Sequence, residues 1–96
     1  MQPETAFKKD VMKALDKLSG IYYFKVQQVS VRGIPDIIGC YRGRFFAWEL
    51  KVKKNKVGKR SLQAYNLKCI KLAGGISREV NPLNFKDAME ELCSIS

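Results

Sequence analysis

The sequence predicts an α/β domain in which helices flank both faces of a mixed sheet. Three observations predict it. Helical and strand-like segments follow one another in the order α-β-β-β-α-β-α. Two consecutive strand segments are joined by a two-residue turn, which makes the middle of the sheet an antiparallel hairpin. Both faces of that hairpin are apolar through the centre, so cover is needed on each side. At 96 residues one domain spanning 1–96 is expected, near the smallest size that builds a core unaided.

Each element has a local reason. The first helix is expected from about Pro3 to Leu18: proline suits a first helical position, and Ser19-Gly20 ends the run. Its apolar stripe is Phe7, Val11, Ala14, Leu15 and Leu18. One turn back, Glu4 falls on the inward face, whereas Lys8, Lys9, Lys13 and Lys17 are read as outward. Ile21 to Val29 is β-rich and reads as a strand, followed by a loop from Ser30 to Pro35. The hairpin then runs through "DIIGCY", a turn at Arg42-Gly43, and "RFFAWELKV". Ser61 is placed to cap a helix from Leu62 to about Ala73, closed by Gly74-Gly75. "ISREV" is a short strand. Asn81-Pro82 is read as the start of a last helix reaching about Cys93, with Phe85, Ala88, Met89 and Leu92 as its stripe. Gly39 is read as a site of close helix packing. Tyr22, Tyr23, Phe24 and Phe46 are assigned to core or interface, and Trp48 to core.

Charge and composition narrow the function. Eighteen Lys and Arg face nine Asp and Glu, a net charge of +9. That excess points to a polyanionic partner. It concentrates in Arg42, Arg44, Lys51, Lys53, Lys54, Lys56, Lys59 and Arg60, with Arg32 just upstream. The chain has no histidine, which excludes His-based metal sites, Ser-His or Cys-His catalysis, and nucleases with a His base. Three widely spaced cysteines (Cys40, Cys69, Cys93) suit a reducing compartment rather than a disulfide framework or zinc ribbon. No apolar run is long enough to cross a bilayer and no signal-peptide core is present. A cytoplasmic protein without a membrane partner is expected.

Two carboxylates interrupt the hairpin. With a turn at 42–43, Asp36 and Glu49 fall directly opposite each other. One face then carries Asp36, Ile38, Cys40, Phe45, Ala47, Glu49 and Lys51; the other carries Ile37, Tyr41, Phe46, Trp48 and Leu50. Like charges opposite one another in a sheet repel, and burying either alone costs several kcal/mol more. A shared proton, a bridging cation from Lys51, or a divalent ion would relieve the strain. An oxygen-only ligand set without histidine or paired cysteine suits Mg²⁺ or Mn²⁺. Beside a basic surface, that ion would meet a phosphate oxygen and support phosphodiester hydrolysis.

"GIPD" at Gly33 to Asp36 followed by "WELK" at Trp48 to Lys51 resembles the PD-(D/E)xK nuclease signature. Glu4 on a preceding helix and Gln63 early in the next make the chain similar to the VRR-NUC branch, whose naming Val-Arg-Arg element has its nearest counterpart at Ser77 to Val80. The resemblance covers nearly the whole chain. It implies a restriction-endonuclease-like αβββαβ core with helices on both faces plus a C-terminal helix. It also implies that Asp36, Glu49 and the Leu50 carbonyl hold the metal, with Glu4 joining directly or through water. Lys51 would activate or orient the attacking water or stabilise the transition state, and Gln63 would position water or phosphate. Arg32, Arg42, Arg44, Lys53, Lys54, Lys56, Lys59 and Arg60 would line the DNA path. The expected activity is a metal-dependent endonuclease acting on branched DNA such as Holliday junctions, as a homodimer, in a bacterial or phage-infected cell. A non-catalytic basic DNA-binding module and a monomeric flap nuclease are the alternatives.

Overall fold

A computed structural model describes residues 3–27, 33–52 and 62–94, with the backbone alone for Pro3 and Glu4. The elements are α1 (Pro3–Asp16), β1 (Ile21–Lys25), β2 (Ile37–Tyr41), β3 (Arg44–Leu50), α2 (Leu62–Leu72), β4 (Ile76–Val80) and α3 (Phe85–Cys93). They form one four-stranded sheet in the order β1-β2-β3-β4. The first three strands are antiparallel and β4 joins β3 in parallel. The mixed sheet and the element order are those expected. No helix among the described residues is long and apolar enough to cross a membrane.

The hairpin register follows from its turn. Tyr41 pairs with Arg44 and Ile37 with Trp48, so the two-residue turn at Arg42-Gly43 is real. Arg42 has φ 49° and Gly43 φ 90°, the two positive values that a primed turn needs to follow the twist of its strands. Arg42 accepts this conformation with its guanidinium 5.6 Å from the centre of the Tyr41 ring.

One face of the sheet is closed. Phe46, Trp48, Leu50, Ile76 and Val80 pack there with Phe7, Val11 and Leu15 of α1 and Ala88 and Leu92 of α3. Phe7, Trp48 and Phe85 meet edge to face, with centroids 5.8 Å apart for Phe7–Phe85 and 6.5 Å for Trp48–Phe85. Such contacts add about 0.5–1.5 kcal/mol each beyond burial.

The other face carries α2 over β3 and β4. Ser77 of β4 donates its hydroxyl to the Leu67 carbonyl of that helix. No residue of α2 is fully buried, and Tyr22, Phe24 and Cys40 on the β1–β2 half of this face stay exposed. The expectation that both faces are covered therefore holds on one side and only in part on the other. One helix about 10 Å wide spans roughly two strands at about 4.8 Å spacing, so a second would be needed to finish the layer.

Other boundaries differ for local reasons. α1 ends at Asp16, two residues before Leu18, and β1 ends at Lys25. The last helix starts at Phe85 rather than at Asn81-Pro82. The Asn81 side chain accepts the N–H groups of Leu83 (2.9 Å) and Asn84 (2.8 Å), a local turn that competes with helix. At the end of α2, Gly75 N–H donates to Ile70 C=O and Gly74 N–H to Lys71 C=O, with Gly74 at φ 96°. This is the Schellman closure expected of Gly74-Gly75. Gly39 answers to a strand, not a helix: a Cβ there would stand 2.4 Å from the Tyr22 carbonyl of β1.

Candidate active site

The site forms at the open end of the hairpin. Asp36 lies in the bend before β2, one residue beyond the Ile37–Trp48 pair, which sets it opposite Glu49. Its backbone carbonyl accepts Val26 N–H at 2.7 Å. Its carboxylate accepts Leu50 N–H at 2.9 Å through Oδ2. This last contact was not read from the sequence. The side chain supplies a ladder bond where the strand itself has not yet begun. Since N–H and C=O of one residue in an antiparallel strand face the same neighbour, the Leu50 carbonyl is turned to the Asp36 side of β3.

Glu49 is 4 % exposed, and the Asp36 carboxyl is close enough to raise its pKa. Gln63, one residue into α2, donates through Nε2 to Glu49 Oε2 at 3.1 Å. The Lys51 ammonium stands 3.9 Å from the same oxygen. Glu49 Oε1 is buried with no hydrogen-bond partner among the described residues. Burial, and next the negative charge of Asp36, pushes the Glu49 carboxyl up from 4.5 to about 7; Lys51 and, less strongly, Lys8 pull it back.

Asp36, Glu49, Lys51 and Gln63 are thus brought together from the open end of the β2–β3 hairpin and the start of α2. Glu4 lies in α1, its side chain outside the described residues, as are Arg32, Lys53, Lys54, Lys56, Lys59, Arg60 and the Ser61 cap. Arg42 and Arg44 are not brought to the site. They sit at the turn, where Arg44 Nε donates to the Gly74 carbonyl at 3.1 Å. Five residue steps along the strand, about 17 Å, separate Arg44 from Glu49.

The sequence reading missed three contributors. Lys8, taken as outward, is half-buried and lowers the Glu49 pKa; its spacing of four from Glu4 was the available signal. Gly33, at φ 80°, touches α2: a Cβ there would come 2.7 Å from the Leu62 backbone. Glu79 of β4 pairs in register with Glu49, although no three carboxylates or thiols among the described residues are grouped to hold an ion.

The donor set fits a hard divalent cation. Mg²⁺ commonly takes one or two carboxylates and keeps several waters. Here two carboxylates stand across the hairpin from one another, one with a partnerless oxygen, and the Leu50 carbonyl is turned to the Asp36 side of β3. Comparison of the chain with family models, with curated proteins and with solved structures returns no match.

Proposed function

We propose that this chain is a metal-dependent DNA endonuclease of the PD-(D/E)xK type, VRR-NUC-like, with a restriction-endonuclease-like core. The observation that carries the reading is the Asp36–Glu49 couple with Lys51 beside it. A buried carboxylate with an unpartnered oxygen costs about 1–3 kcal/mol or more, and a second carboxylate next to it adds repulsion. Asp36, Glu49 and the Leu50 carbonyl would hold Mg²⁺ or Mn²⁺, with Glu4 a further candidate. The bound ion would supply charge neutralisation at the phosphate and an acidified water.

The chain's own groups do the rest. Asp36 keeps the end of the hairpin closed through Leu50 N–H, which fixes the spacing of the two carboxylates. Gln63 orients Glu49 by occupying Oε2, leaving Oε1 for the ion. Lys51 is half-buried and holds a positive charge where an incoming phosphate and its attacking water would lie. The net charge of +9 favours a nucleic-acid backbone as substrate. A small domain with no inserted reading helix among the described residues favours DNA structure over base sequence, hence branched substrates.

The test is cleavage of supercoiled, linear and four-way-junction DNA with Mg²⁺, Mn²⁺ or EDTA. Metal-dependent cutting, strongest on the junction and absent in Asp36→Asn and Glu49→Gln, is the expected result. The 3.9 Å Lys51–Glu49 contact favours a second reading, a non-catalytic DNA-binding module with a structural ion pair. Salt-sensitive binding without cleavage of any substrate would establish that reading instead.

A further inference from the structure

The face that holds Asp36 and Glu49 continues, uncovered, along β1 and β2. Register pairing sets Phe24, Ile38 and Ala47 in the row next to the two carboxylates, and Tyr22, Cys40 and Phe45 in the row beyond. Side chains two apart on a strand share a face, so both rows look out on the same side as the couple. Tyr22 is 75 % exposed, Phe24 49 % and Phe45 45 %. β1 is the edge of the sheet. α2 packs over β3 and β4 and leaves this half open. Aromatic rings so placed do no work for the core, which closes on the opposite face.

We propose that Tyr22 and Phe24 form a stacking platform for unpaired DNA bases beside the phosphate met at Asp36 and Glu49. The position of the cut rests on the nuclease reading; the binding does not. Every base offers a π-face, so exposed rings hold single strands with little regard to sequence. The two rings are about 7 Å apart along the strand, twice the ~3.4 Å rise between stacked bases of B-DNA. A base on each ring is therefore drawn away from its neighbour. Duplex DNA cannot present its bases in this way, whereas a splayed arm or flap can. The Phe24 row lies about 7 Å from the row of carboxylates and the Tyr22 row about 14 Å. The two stacked bases thus belong to the nucleotides nearest the cut.

Charge selects a nucleic acid over an apolar protein partner. β1, β2 and the turn after β2 contain no Asp or Glu. Cations rim the platform instead. Lys25 follows Phe24 on the edge strand, and Arg42 lies against Gly20, two residues ahead of Tyr22. Arg44 closes the same end, paired with Tyr41 across the hairpin. All three are exposed. They meet the phosphates that link the stacked bases, which gives Arg42 and Arg44 a use away from the couple.

Fluorescence anisotropy on the whole chain in EDTA tests it without any cleavage. The probes are a blunt duplex, a splayed-arm duplex with thymine arms, and the same molecule with abasic arms. The last two carry equal phosphate charge and differ only in their bases. The thymine arms are expected to bind about 10-fold tighter than the abasic arms at equal salt, and the blunt duplex no better than the abasic arms. Tyr22→Ser with Phe24→Ser should erase that difference at unchanged far-UV circular dichroism, and Tyr22→Phe should keep it. Equal affinity for both kinds of arm, or a difference that survives the double change, would overturn the proposal. So would a sedimentation coefficient that falls in the double variant without DNA, which would make the face a protein contact. If the serines unfold the chain, cross-linking decides. Arms carrying 5-iodouracil, irradiated on the unaltered protein, should mark Tyr22 or Phe24 in peptide mass spectra; adducts only elsewhere, or none, would refute the platform. Base-dependent binding without metal-dependent cutting would remove the nuclease reading alone. Cutting with equal affinity for both arms would remove the platform alone.

Discussion

The two faces of the sheet are built by opposite rules. On the α1/α3 face, Phe46, Trp48 and Val80 are fully buried among aromatic and aliphatic neighbours. On the α2 face, the same strands present a buried carboxylate, a hydrogen-bonded serine and uncovered aromatics. The first face holds the domain together. The second carries the candidate site and its unfinished surface. A chain this small can tolerate an unfavourable acidic couple on one side because the other side is closed, and because Asp36 is also fastened to backbone.

The sharpest way to break this contrast is to exchange the kinds of damage. Asp36→Ala or Glu49→Ala should lower cleavage at least 1,000-fold, about 4 kcal/mol in the barrier, while junction DNA is bound as well or better. Gel shift in EDTA beside a cleavage assay checks it, and retained cutting would remove these residues from the site. Trp48→Ala, on the closed face, should cost about 3–5 kcal/mol of stability, read as a loss of the cooperative unfolding transition. Lys51→Ala should slow cleavage about 100-fold without changing the circular dichroism; a folding defect instead would mark the lysine as structural.

A smaller effect comes from pH. The Glu49 carboxyl is raised to about 7 from 4.5, so the folded state holds its proton more tightly than the unfolded one. Its contribution is fully present below 4.5 and is lost as pH rises through about 7. In EDTA the protein should therefore lose about 2 kcal/mol between pH 5 and 8. Glu49→Gln should flatten that slope, and Mg²⁺ should restore stability chiefly above pH 7. Chemical denaturation at each pH measures it, and an unchanged slope in the glutamine variant would assign the effect elsewhere. Smallest of all, Phe24→Ser on the open face should alter monomer stability by no more than about 0.5 kcal/mol; a cost of several would mean that face is closed after all.

Much of this was legible in the sequence, for identifiable reasons. The turn at 42–43 determined the hairpin register, and the register put Asp36 across from Glu49. Helical spacing turned Phe7, Val11 and Leu15 inward. Gln63 was picked out by resemblance, and its bond to Glu49 bears out only its nearness. What escaped was tertiary. Nothing local says that α2 spans two strands and not four, that Lys8 sits within electrostatic reach of a carboxylate on β3, or that Gly39 is squeezed by its neighbour across the ladder. The late start of α3 was hidden because Asn81 serves equally well as a helix cap and as a closed turn. Side-chain bonding to nearby N–H groups decided between them.

Gly33, ahead of β2, packs directly against Leu62 at the start of α2. That contact lies a single residue from Gln63. A methyl group at position 33 would lever α2 away from the hairpin and pull Gln63 off Glu49, disarming the centre without altering any polar side chain.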